Sequence, residues 1–196
     1  VELAGVGSAV GENIPADIVM VGIGVIARSA LADKLALETI NGAIVVNEYA
    51  ETSNPRVVAA GDAVALPHPL GHDGQVRLES VQNAVDQAKV AAKTLIGERH
   101  AYRAVPWFWS DQGDLKLQIA GLSAGFDQIV ERGSQEAEKF SVLYYREGRI
   151  IAVDAVNDPV DYVAVRRALD AGAEIPADLA ADSSIALKTL ITGGKV

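Results

Sequence analysis

Two regimes of apolar spacing divide this chain. Up to about residue 100, short apolar runs alternate with glycine turns and with stretches of helical period; beyond it, alternation of period two takes over. Ile18-Val19-Met20-Val21 lies between Asp17 and Gly22 and predicts a buried parallel strand. Val1-Glu2-Leu3 is expected to pair with it as the other arm of a hairpin. Residues 28–37 have helical spacing, with Ala27, Leu31 and Leu35 able to share a face. Asn41-Gly42 predicts a turn or a helix stop. Ile44-Val45-Val46 and Val57-Val58-Ala59-Ala60 predict two more strands, the latter ending in Gly61-Asp62. Residues 66–74 hold two prolines, two glycines and two histidines and read as a loop.

Residues 79–95 give the clearest helix. Val81, Val85, Ala88, Ala92 and Leu95 form one stripe, Ser80 suits the N-cap, and Gly97 follows the last apolar position as a stop. Further on, residues 115–119, 140–145 and 150–156 alternate as strands, with Glu147-Gly148 as a hairpin turn between the last two. Residues 160–171 return to helical spacing through Val160, Val163, Ala164 and Leu169. Pro176 interrupts it, and residues 177–191 are expected to be helical again. The expected organisation is an α/β unit over residues 1–100 and a small α+β unit, an antiparallel sheet with helices on it, over residues 101–196.

Composition narrows the function classes. With 196 residues, 49% of them apolar, one domain or two small ones can bury a core. The absence of cysteine excludes disulfides, thiol catalysis and cysteine-ligated clusters. A net charge of −9 argues against nucleic acid or an anionic membrane as partner. No apolar run approaches the roughly 20 residues of a membrane span. The chain opens on Val1-Glu2-Leu3-Ala4, without a basic leader or methionine, as expected of a fragment of a longer cytoplasmic protein. His68, His72 and His100 show no ligand spacing, and no metal site is expected.

Two glycine motifs compete for attention. Gly22-Ile23-Gly24-Val25-Ile26-Ala27 fits G-x-G-x-x-A after a predicted strand and before a predicted helix, the context of a dinucleotide pyrophosphate site, with Glu48 about where a ribose-binding acid would sit. It equally fits a strand-to-helix turn that needs glycine for its dihedrals. Gly5-Val6-Gly7 with Gly11 is weaker and reads as a loop. Gly61-Asp62 puts a short acid at the end of an apolar run, where a carboxylate can take a hydroxyl hydrogen bond. Glu79-Ser80-Val81-Gln82-Asn83-Ala84 opens the long helix, whose N-terminus favours negative charge.

Aromatics are only 5% of the chain, yet both tryptophans fall in Pro106-Trp107-Phe108-Trp109-Ser110-Asp111-Gln112. Trp107 is expected to pack inward and Trp109 to be exposed, on opposite faces of the segment, with residues 110–112 turning the chain into the next strand. Arg146, Arg149, Arg166 and Arg167 give the acidic chain a basic group near its end.

Taken together, the aromatic run, Ala60-Gly61-Asp62 and residues 79–84 resemble the FAD-dependent, NAD(P)H-dependent ferredoxin reductases of the putidaredoxin reductase and aromatic-ring dioxygenase reductase type, from about Asp17 to about Ala181. The resemblance implies a glutathione-reductase-like fold: the end of an NAD-binding domain and the C-terminal segment of an FAD-binding domain, then a C-terminal reductase domain. It implies FAD and NAD(H) as cofactors and a [2Fe–2S] ferredoxin as partner, serving a P450 or Rieske-type oxygenase. By the same resemblance Asp62, after Gly61, holds the ribityl chain. Glu79, Ser80 and Val81 meet the pyrimidine end and the nicotinamide. Gly22, Ile23 and Gly24 line the nicotinamide side, and Trp109 stands near the flavin and the docked ferredoxin. The pyrophosphate fingerprints of that family are expected upstream of this sequence. A flavin-free interaction or dimerisation module, prone to self-association, stays open as a second reading, and an NAD site at residues 22–27 as a third.

Overall fold

The computed structural model describes residues 6–7 and 13–194. Val1-Glu2-Leu3, Gly5 and Gly11 lie outside the described residues. Val6–Gly7 (β1) pairs antiparallel with Asn13–Ile14 (β2), a small ladder where a loop was expected. Residues 15–29 carry no strand or helix, and Ile18, Met20, Val21 and Ile23 are exposed, Met20 by 94%. The strand expected at residues 18–21 is therefore absent: a parallel strand is held by neighbours on both edges and helices on both faces, and none pack here. The helix expected at residues 28–37 contracts to Ala30–Lys34 (α1), with Leu31 and Leu35 exposed.

A four-stranded sheet follows: Thr39–Ile40 (β3), Ala43–Val45 (β4), Val64–Pro67 (β5) and Gln75–Val76 (β6), in that order. Asn41 and Gly42, both at positive φ, turn β3 into β4. β4 and β5 are parallel. Residues 57–60, expected as a strand, make only a bridge from Val58 to Glu51; the paired strand starts after Gly61-Asp62 and takes in Leu66. Val46, Val64, Leu66, Leu78 and Tyr102 form the core here.

Val81–Leu95 (α2) is capped by Ser80, whose hydroxyl accepts from the Asn83 N–H at 3.1 Å. Its buried side is not the expected apolar stripe. Gln82, Asn83, Gln87 and Ala91 face inward, whereas Val81 (66% exposed), Val85 and Leu95 face out.

The second sheet is antiparallel: Trp107–Gln112 (β7), Leu115–Gly121 (β8), Gln128–Ser134 (β9), Lys139–Arg146 (β10) and Arg149–Val156 (β11), in the order β7-β8-β11-β10-β9. Residues 110–112, expected to turn, complete β7, and the turn follows at Gly113. Glu147 and Gly148 both sit at positive φ and close the β10–β11 hairpin as their sequence predicts. Pro159–Ala171 (α3) packs on this sheet; Asp158 caps it and Gly172, at φ 62°, ends it in the left-handed region. Residues 177–191, expected as one helix, hold only Ala177–Ala180 (α4) and a 3₁₀ turn at Leu187–Thr189. Leu143, Tyr145, Val153, Val165 and Ile175 form the larger core. Ala104 and Leu122 reach back to the smaller one, so the sheets are joined by apolar contact as well as by chain.

Beneath the larger core runs a buried polar knot. Arg132 on β9 donates from Nε to Asp161 Oδ2 at 2.9 Å, and Ser141 Oγ donates to the same oxygen at 2.7 Å. The Arg132 guanidinium also donates to the carbonyls of Ala180, Asp182 and Ile185, which fixes the irregular C-terminal segment against the sheet. Removing one member of a buried pair costs about 3–5 kcal/mol because the other charge is stranded. Asp161→Ala is therefore expected to lower unfolding free energy by about 3 kcal/mol in urea titration. With the α2 stripe uncovered, the chain is expected to self-associate in sedimentation velocity, and Val85→Lys with Leu95→Lys is expected to restore the monomer.

Candidate functional site

The inward polar face of α2 gathers the segments that the sequence singled out. A buried amide must find partners, and each of these finds a different stretch of backbone. Gln87 Oε1 accepts the Gly61 N–H at 2.7 Å. Asn83 Nδ2 donates to the Leu78 carbonyl at 2.9 Å, and Gln82 Oε1 accepts the Trp107 N–H at 3.3 Å. The Gly61-Asp62 turn, the approach to the helix and the start of the aromatic strand are thus positioned from one helix face. Gly61 sits at φ +84°, and a Cβ there would lie 3.6 Å from the Ala84 Cβ, so the turn rests directly on the first turns of α2.

Asp62 is exposed, and its carbonyl accepts from Arg77 Nε at 2.8 Å. Arg77 pairs with Glu79 at 2.5 Å and also donates to the Val25 carbonyl at 3.4 Å. Arg77, Glu79, Ser80, Pro106, Trp107, Phe108 and Ile119 line a cleft of ≈160 Å³ at the N-terminus of α2. Only one amide of the first helical turn is taken by the Ser80 hydroxyl; the first N–H groups of a helix have no partner within it. Val81, exposed, flanks that end. The side-chain carbonyl of Asn83 is buried without a hydrogen-bond partner among the described residues. Helix amides, the Glu79 carboxylate and the walls of Trp107 and Phe108 suit the edge of a flat polar ring, as a flavin has.

Trp107 and Trp109 do not lie on opposite faces. In a strand, positions two apart share a face, and the two rings stack 5.4 Å apart at 31°. Phe108 takes the other face. Trp107 is half-buried, Trp109 is 44% exposed, and Arg166 from α3 lies 4.9 Å from the Trp107 ring. Both tryptophans border a second groove with Lys116, Pro159 and Tyr162.

Gly22, Ile23 and Gly24 stand apart in form: neither strand nor helix flanks them, so the context for a pyrophosphate fingerprint is not present among the described residues. The Glu48 carbonyl accepts the Tyr102 N–H at 2.7 Å. His68 and His72 meet edge to face at 4.8 Å; burial, then the charges of His72 and Arg146, push the His68 pKa down. Arg149 pairs with Glu174 at 2.8 Å. No helix among the described residues is long and apolar enough to cross a membrane.

Residues 2–88 match the family described as pyridine nucleotide-disulphide oxidoreductase, and residues 107–191 match the one described as Reductase C-terminal. The first match takes in the four-stranded sheet and the second the five-stranded one. The chain is similar to rhodocoxin reductase of Rhodococcus erythropolis, 46% identical over 98% of this chain and 44% of that protein. Among solved structures it resembles the ferredoxin reductase for the CYP199A2 system from Rhodopseudomonas palustris, with TM-score 0.85 and 41% identity over 94% of this chain and 45% of that one. It also resembles the covalent putidaredoxin reductase–putidaredoxin complex, with TM-score 0.86 and 40% identity over 93% of this chain and 43% of that one. The chain therefore spans a little under half the length of the relatives it matches. The expected fold, a partial FAD/NAD(P)-binding segment followed by a C-terminal reductase domain, is the fold that these similarities support.

Sequence reasoning missed Arg77, Gln82, Asn83, Gln87 and Phe108. The one available signal was a break in the helix pattern: Gln82, Asn83 and Gln87 recur at helical spacing on the side away from the valines. Gln87→Leu leaves the buried Gly61 N–H unpaired and is expected to cost about 2 kcal/mol in urea unfolding. Lys89→Ala, on the exposed side, is expected to stay within about 0.5 kcal/mol of the parent.

Proposed function

We propose that this chain is the C-terminal portion of a cytoplasmic, FAD-dependent ferredoxin reductase that takes electrons from NAD(P)H and supplies them to a [2Fe–2S] ferredoxin serving a P450 or Rieske-type oxygenase, with a division near residue 100. The observation that carries this reading is the convergence of Gly61-Asp62, Glu79-Ser80-Val81 and the Trp107–Trp109 strand around the N-terminus of α2. The relatives named above, one of them joined to its redoxin, support it.

In this reading FAD, when bound, accepts hydride from the nicotinamide and releases single electrons. The protein's own share is placement and electrostatics. Asp62 accepts from the ribityl hydroxyls. The N-terminus of α2, behind Ser80 and Val81, stabilises negative charge on the pyrimidine end. Glu79 and the backbone of Gly22, Ile23 and Gly24 border the nicotinamide side. Trp109, stacked on Trp107, keeps water from the ring and offers a flat surface to the ferredoxin. No side-chain acid or base is required, and none is assigned.

A second reading, a flavin-free dimerisation module, is favoured by the exposed stripe of Val81, Val85 and Leu95 on α2. A chimaera separates them: the part of rhodocoxin reductase outside the matched region, joined to this chain. The expected result is a yellow monomer that reduces a [2Fe–2S] ferredoxin with NADH, with reduction lost in Gly61→Val. A folded but colourless chimaera that dimerises through α2 would overturn the reductase reading in favour of the module.

A further inference from the structure

Three segments assigned to the flavin end meet at one side chain that no motif contains. Arg77 lies in the loop between β6 and α2, its side chain about a quarter exposed. Its Nε donates to the Asp62 carbonyl at 2.8 Å. Its Nη1 and Nη2 reach the Val25 carbonyl at 3.5 and 3.4 Å, and Nη2 pairs with Glu79 Oε1 at 2.5 Å. Residues 15–28 carry no strand or helix, and among the described residues the Arg77 guanidinium makes the only hydrogen bonds that reach them. A planar fork with donors on three nitrogens can serve three acceptors in one plane; a lysine ammonium on its flexible stem cannot hold that arrangement.

We propose that Arg77 is a positioning residue for the flavin-end cleft, strapping the Gly22–Val25 segment to the Gly61-Asp62 turn and to Glu79 at the N-terminus of α2. It acts through these groups and touches no reacting atom. The proposal rests on the reductase reading for its functional meaning, but the strap itself belongs to this chain. With the strap closed, the segment that carries Gly22, Ile23 and Gly24 is tied through Val25 to Asp62 and Glu79. With it open, an irregular glycine-bearing segment carrying exposed Ile18, Met20 and Ile23 has no polar anchor to the cleft.

The test uses two preparations. In the ¹⁵N-labelled 196-residue chain, heteronuclear NOE values of residues 22–26 report whether the segment is held. Arg77→Ala is expected to lower them towards those of a free terminus. Arg77→Lys, which keeps the charge and the partnership with Glu79, is expected to lower them nearly as far, and Glu79→Gln, which leaves both carbonyl contacts, is expected to leave them close to the parent. In the flavin-loaded chimaera, Arg77→Ala is expected to raise KM for NADH roughly tenfold while kcat changes less than about twofold, the loss of an orienting group rather than of chemistry. Unchanged NOE values in Arg77→Ala overturn the strap. Lowered NOE values with an unchanged KM overturn its positioning role. A parent chimaera that takes up no flavin counts against the reductase reading, and the NMR comparison still decides the strap.

Discussion

Helix α2 turns its amides inward, and the arrangement of the cleft follows from that inversion. Gln82, Asn83 and Gln87 are buried, and an unpaired buried amide is costly, so each must find a backbone partner. The partners come from three separate stretches: the Trp107 N–H, the Leu78 carbonyl and the Gly61 N–H. An apolar helix face slides and repacks with little penalty. A face of satisfied amides fixes position and register, because a displacement of one ångström breaks several hydrogen bonds at once. The cleft is therefore located by hydrogen-bond geometry rather than by the fit of a core.

The antiparallel half uses a different strategy. Its sheet and α3 close on a conventional apolar core, and its polar knot of Arg132, Ser141 and Asp161 lies inside that core. The knot reaches the carbonyls of an irregular segment that could not satisfy them by forming a helix of its own. One arginine in each half thus holds a stretch without regular structure: Arg132 from inside the core, Arg77 at the edge of a cleft.

How much of this could be read from the sequence depended on how local the cause was. The β10–β11 hairpin and α2 were legible because their turn and cap (Glu147-Gly148, Ser80) lie next to the elements they shape, and α3 because its apolar spacing over residues 160–171 is helical. Residues 18–21 were misread because a buried parallel strand takes its form from neighbours, and none pack against it here. Residues 57–60 were misread in the same way, since the pairing that makes a strand occurs seven residues later, at Val64. The tryptophan faces were misjudged although the strand period places both on one side. β9 went unseen because the adjacent charges of Glu131 and Arg132 and then Gly133 mask its apolar positions, and a Cβ at Gly133 would run into the Lys139 carbonyl oxygen. Of the candidate site, the motifs single out Asp62, Glu79 and Ser80, and the last two do line the cleft. Arg77 and Gln87 were not legible, because their meaning lies in partners 15 to 52 residues away.

The pairing of Trp107 with Trp109 has an optical corollary. The chain holds only these two indoles, and they stand 5.4 Å apart on one strand. Tryptophan emission, excited at wavelengths that tyrosine does not absorb, thus originates at a single place, beside Arg166 and within reach of the cleft that Trp107 helps to line. Each half of the chain meets at that strand, one through Gln82 and the other through the sheet. The protein carries its own lamp at the junction, and its brightness and colour report on the environment of the cleft without any label.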